Sequence, residues 1–229
     1  MVIMMVHRLK LKVECKYMYA KKINIMNIQH SIKKLKEADP DLIRLMDAFK
    51  MEDLKPEKNY FKAMARSIIY QQLSGVSAKA IHDRFISIYD PEPYPSPQKV
   101  ISTDIDVLRS VGLSFSKAKY IKNIATAFLE DPARYKTFDD RSDEDIIQLL
   151  TEIKGVGPWT AQMFLMFSLN RPDVFPVTDL ALQKGFQHYF ELDDLPKESQ
   201  MLEWSQKWIP YRTTVSLFFW RILEGPFEW

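Results

Sequence analysis

From Met26 onward apolar residues recur every three or four positions, and no stretch holds the two-residue alternation of a strand for more than a few residues. NIQHSIKKLKEA (27–38) and DPDLIRLMDAFK (39–50) read as the first helices, the second opening on Asp39 as a cap with Pro40 at the first helical position. NYFKAMARSIIYQQLS (59–74) and VSAKAIHDRFISIY (76–89) follow, divided at Ser74-Gly75. DPEPYPSPQ (90–98) breaks the rhythm with prolines and predicts a long surface loop. TDIDVLRSV then runs to Gly112, and SKAKYIKNIATAFLED, DEDIIQLLTEI, DLALQKGFQHYF, KESQMLEWSQKW and YRTTVSLFFWRILEG each carry a helical stripe. The pattern predicts an all-α fold of about ten helices with short connections, in one domain or in two lobes of roughly 100 residues.

Composition narrows this. An apolar share of 46% and a charged share of 27% are ordinary for a soluble globular chain, and no run of 18 apolar residues offers a membrane span. A lone cysteine, Cys15, excludes an intramolecular disulfide and a four-cysteine iron–sulfur cluster. His7, His30, His82 and His188 lack ligand spacing, so no metal site is read from them. The net charge of +2 hides an asymmetry: residues 1–24 hold six Lys/Arg against Glu14, leaving 26 basic against 29 acidic residues elsewhere. Attraction to a polyanion must therefore come from local patches and oriented backbone amides. Residues 1–25 lack a secretory cleavage site and are expected to be a disordered extension, with 26–229 as the folded domain.

The most specific stretch is TEIKGVGPWTAQMFLMFSL (151–169), inside a hairpin spanning 145–169. Ser142 is a suitable N-cap for the helix before it, with acidic residues in the first turn. Lys154-Gly155-Val156-Gly157 is short enough only for a tight turn, and Pro158 suits the first position of a new helix. The amides of Gly155 and Gly157 are then free at a helix N-terminus, a geometry for an anion such as a phosphate. A helix that stops at glycine and restarts at proline is also common in plain helical proteins, so the downstream residues matter. NRPDVFPVT (170–178) and Asp179 follow, with Asp179 twenty positions after Trp159.

Together IKGVGPWTA, the proline-bearing loop and Asp179 resemble the helix-hairpin-helix glycosylase superfamily, and WSQKWIPYRTTVSLFFWRILEG resembles the C-terminal helix of its 3-methyladenine DNA glycosylase II branch. The resemblance implies a two-lobed helical fold, a cleft that holds a flipped base, and Asp179 as the catalytic residue. Asp179 also precedes a helix and suits an N-cap; both readings can hold. An anion beside C1′ would stabilise the oxocarbenium-like state of base loss or orient a water. Where strand-cutting members carry a Schiff-base lysine this chain has Trp159, which implies hydrolysis without lyase chemistry. Trp159, Trp220 and Tyr70 are the expected base pocket, although large aromatics at helical spacing are usually core. Aromatic faces attract the positive charge of N3- or N7-alkylated purines, and that charge makes the base a good leaving group. Within IIYQQLSGVSAK, Leu73 matches the wedge that fills the emptied base step, with Gln72 beside it; a leucine there could equally be packing.

Gly155, Gly157, Lys154 and Thr160 are the expected phosphate contacts, and the backbone of Thr151, Ile153 and Gly155 is implied to suit a structural Na+ or K+. No cofactor is required. The expected partner is double-stranded DNA with alkylated bases, bound by a monomer inside the cell. The alternative is a hairpin module that binds or senses damaged DNA without cleaving it; a third keeps the enzyme but targets deaminated, etheno or oxidised bases.

Overall fold

A computed structural model of the chain describes residues 26–138 and 140–224; the expected extension over 1–25 and Cys15 lie outside them. Among the described residues are twelve α-helices, two 3₁₀ segments and no strand. The helices are α1 (Ile28–Ala38), α2 (Ile43–Ala48), α3 (Tyr60–Tyr70), α4 (Gly75–Ser87), α5 (Pro97–Ser102), α6 (Ile105–Ser110), α7 (Phe115–Glu130), α8 (Asp143–Thr151), α9 (Pro158–Phe167), α10 (Leu180–Tyr189), α11 (Glu198–Trp204) and α12 (Arg212–Glu224).

Local signals placed most helix starts. Asn27, Asn59, Ser114 and Ser142 each accept a first-turn amide as N-cap, and Asp39 caps the 3₁₀ segment Pro40–Leu42. Asp39 is itself 2% exposed, where the buried indole N–H of Trp208 donates to it at 2.7 Å and Lys207 approaches to 2.9 Å. Two expectations change. The proline loop ends earlier, because Ser96 caps and Pro97 starts the short helix α5. The segment 59–74 stops being helical after Tyr70, since Gln71 leaves the helical region with ψ 128° and Gln72, at φ +56°, turns the chain.

The packing separates two lobes. Helices α3 to α9 pack among themselves, α7 against α3, α5 and α6, and α9 against α3 and α8. The chain's two ends form the other lobe, in which α10 lies along α12 and α1 packs on α12 and on the 3₁₀ segment Ser205–Trp208. Helix α9 is buried through Thr160, Ala161, Met163, Phe164, Leu165 and Met166, as expected for a helix that is apolar around most of its circumference. Each large apolar side chain sealed this way contributes about 1.5–3 kcal/mol. Gly185 sets the closeness of α10 and α12, since a β-carbon there would stand 2.2 Å from the Phe219 carbonyl oxygen. That approach carries α12, and with it Trp220, up to the start of α10.

Candidate active site

Asp179 is the N-cap of α10, and its Oδ1 accepts the Leu182 amide at 2.7 Å. The capping role and the expected active-site role therefore share one side chain. Oδ1 also accepts the indole N–H of Trp220 at 2.8 Å, and Oδ2 that of Trp159 at 2.7 Å. All three partners are donors, a set complementary to a group that only accepts. Trp159 comes from the hairpin in the middle lobe and Trp220 from α12 in the terminal lobe, so the half-buried carboxylate sits on the seam between them.

The loop before Asp179 is stitched to the start of α12. Asp173 takes the Arg212 guanidinium in two bonds of 2.7 and 2.8 Å, Val174 N–H donates to the Thr213 hydroxyl at 2.9 Å, and Thr213 N–H donates to the Pro172 carbonyl at 3.0 Å. Paired fork contacts of this kind fix orientation as well as distance. No local signal announces Asp173 or Arg212, which lie 39 positions apart.

The hairpin has the expected form, with α8 capped by Ser142, Pro158 first in α9 and Gly157 as its N-cap. Only Gly155 needs glycine's freedom, at φ +105°, and a β-carbon there would fall 2.1 Å from the Tyr120 ring. Gly157 has φ −98° and open space where a side chain would be, so its bareness keeps the approach to the turn clear. Among the described residues nothing accepts the backbone N–H of Gly155, Gly157, Trp159 or Thr160, which leaves donors for an anion. Lys154 is exposed beside them. The Thr160 side chain is committed to the interior, at 1% exposed with its hydroxyl accepting from Gln71 Nε2 at 2.9 Å, so its backbone amide is what it offers an anion. Of the carbonyls implied for a monovalent cation, Ile153's accepts the Val156 amide at 2.9 Å, while those of Thr151 and Gly155 have no donor among the described residues. Hard oxygens of this kind fit an alkali ion, and no chemical step depends on it.

The aromatic expectations divide. Trp159 is half-buried, but Trp220 is 4% exposed with one face stacked on Phe167 at 6.3 Å, so it forms the floor that holds the carboxylate and not an open wall. Tyr70 carries the Arg66 guanidinium over its ring at 5.0 Å and stands edge-on to His82 at 6.4 Å. Leu73 is 40% exposed and Gln72 exposed beside it, as a wedge requires. A cavity of about 740 Å³ lined by Arg44, Phe49, Tyr189, Glu191 and Ile222, among others, shares no residue with this site, and its carboxylate, Glu191, is solvent-exposed.

His82 yields a separate prediction. It is 7% exposed and its Nε2 has no hydrogen-bond partner; burial first, then nearby Arg66, push its pKa down from 6.5 to about 4. The folded state thus binds fewer protons at this residue than the unfolded chain between those two values. Its stabilising contribution is whole above pH 6.5 and falls as pH drops toward 4, by about 3 kcal/mol in all. Denaturant midpoints measured across that window should decline, and His82→Phe should flatten the decline; an unchanged slope would contradict the assignment.

Comparison with known proteins agrees with the geometry. Residues 65–211 match the family model described as HhH-GPD superfamily base excision DNA repair protein. The chain is 35% identical over 169 residues to the putative DNA-3-methyladenine glycosylase YfjP of Bacillus subtilis, covering 72% of this chain and 59% of that protein. It is 33% identical over 181 residues to DNA-3-methyladenine glycosylase 1 of Schizosaccharomyces pombe, covering 79% of each. The solved structure of the Schizosaccharomyces pombe 3-methyladenine DNA glycosylase Mag1 in complex with abasic DNA superposes with a TM-score of 0.76 at 30% identity, over 84% of this chain and 95% of that one.

Proposed function

Because the chain belongs to the HhH-GPD superfamily of base excision DNA repair proteins, we propose that it hydrolyses the N-glycosidic bond of alkylated purines in duplex DNA, chiefly 3-methyladenine and 7-methylguanine. The observation that carries this reading is the Asp179 carboxylate held by two indole N–H groups and one backbone amide at the lobe seam. A side chain so constrained adds little reorganisation as charge develops on the sugar. The names borne by the relatives point the same way.

The hairpin amides and Lys154 grip the backbone of the strand, and Leu73 fills the step vacated by the flipped nucleotide. As the bond between the base nitrogen and C1′ breaks, its electron pair neutralises the alkylated purine, which leaves without a proton donor. Asp179 faces the positive sugar, a water oxygen bonds to C1′, and the water's proton passes to solvent. The half-buried ring of Trp159 suits a cationic base, its N–H being bound to Asp179. The protein acts as a monomer.

Position 159, where an indole stands in place of an amine, supports hydrolysis without strand cutting. Incubating the protein with methylated duplex should release methylpurines and leave intact abasic strands, and borohydride should trap no covalent adduct. Binding without release would favour a sensing module, and a trapped adduct would overturn the hydrolytic route.

A further inference from the structure

The turn that presents Leu73 is poorly secured by its own backbone. Its bonds from Gln71 N–H to Ile68 O and from Leu73 N–H to Tyr70 O are both 3.4 Å long, and Gln72 sits at φ +56°. Helix α3 brings no basic residue to its own last turn. The missing cation comes from another helix: Lys117 of α7 donates from Nζ to the carbonyls of Ile69 at 2.8 Å and Gln71 at 2.6 Å. An ammonium at the negative end of a helix, bonded to two terminal carbonyls, is a strong brace. Burial pushes the Lys117 amine down from its ordinary value, as expected of a group drawn under the turn.

The same helix reaches the hairpin. Three residues on, Tyr120 lies against the α-carbon of Gly155, and three further Asn123 Nδ2 donates to the Lys154 carbonyl at 2.8 Å. Lys117, Tyr120 and Asn123 therefore run along one side of α7, spanning the wedge turn and the phosphate-gripping turn. Gln71 closes the loop directly through Thr160 of α9.

We propose that Lys117 is a positioning residue which, through α7, holds the Leu73 turn at a set distance from the hairpin, so that gripping the phosphates drives the wedge into the base stack. This rests on the reading of Leu73 as the wedge. Unstacking a base step pushes back on the inserted side chain, and a turn with two long hydrogen bonds would yield without an outside brace. Tyr120 and Asn123 supply the other end of that brace, and Lys117 supplies the contact at the wedge.

The test is a double-mutant cycle read by single-turnover release of methylpurine from alkylated duplex. Leu73→Ala and Lys117→Met should each slow release by roughly tenfold, and the double variant should be no more than about twofold slower than Leu73→Ala, because the two act as one unit. Lys117→Arg, which keeps donors for two carbonyls, should recover most of the rate. Fully additive losses, or wild-type release by Lys117→Met, would overturn the role of Lys117. Wild-type release by Leu73→Ala would instead overturn the wedge reading itself. Should Lys117→Met fail to fold, Lys117→Gln carries the same cycle to the same criteria.

Discussion

Asp179→Asn is expected to lower methylpurine release by about a thousandfold or more while affinity for alkylated duplex stays near that of the wild type. The substitution keeps the shape and removes the charge. Asn caps a helix as well as Asp does, so α10 should still start at this position. The amide oxygen would remain with Leu182 N–H and Trp220 Nε1, which both bond Oδ1 in the native chain. Its NH₂ would then face Trp159 Nε1–H, donor against donor, where Oδ2 now accepts at 2.7 Å. The sugar loses its facing anion, and the indole that sets the carboxylate's angle loses its acceptor. Removing a positioned electrostatic partner of this kind costs about 3–4 kcal/mol of barrier, or two to three powers of ten. The displaced indole adds to that. Single-turnover release beside fluorescence anisotropy separates chemistry from binding. Release within tenfold of wild type would remove Asp179 from the mechanism.

Gly155→Ala should be the most destabilising single-methyl addition in the hairpin. At φ +105° an alanine is strained, and its β-carbon would lie 2.1, 2.2 and 2.7 Å from Tyr120 Cγ, Cδ1 and Cβ. Those are the root atoms of the ring, so a rotamer change cannot clear them without moving α7. Backbone strain and overpacking together cost roughly 4 kcal/mol. For a chain of this size that lowers the melting temperature by about 10 °C. Gly157→Ala is the control, because φ −98° suits any residue and nothing lies within 4 Å. Its melting temperature should barely change while DNA binding weakens, since the added methyl stands where a phosphate must approach. Equal melting temperatures for the two variants would contradict the close contact between α7 and the turn.

Much of this site was legible in the linear sequence, and the reason is local geometry. Ser142, Pro158 and Asp179 act within three or four residues of themselves, as caps or first-turn residues, so their neighbours define their job. The short helix α5 was equally available from Ser96-Pro97 read as cap and first residue, but the surrounding prolines masked it. The side-chain partners of Tyr70 and Thr160 were not legible: Arg66 and His82 meet the first, and Gln71, 89 positions earlier in the chain, meets the second. Lys117 carried no local signal, since its carbonyl partners are 46 and 48 positions away. Gly185 also carried an overlooked signal, as a glycine in a helix interior usually marks a close approach.

The amino-acid order by itself determined an all-helical chain, a tight glycine turn opening a helix, and an acidic residue capping another twenty positions on. Those features depend on backbone hydrogen bonds and dihedral preferences a few residues long. Only the tertiary structure decided that the two indole N–H groups converge on one carboxylate, that Trp220 is a floor, and that α7 touches both the Leu73 turn and the hairpin. Such contacts depend on how closely helices pack, which is set by the volumes of side chains far apart in the chain.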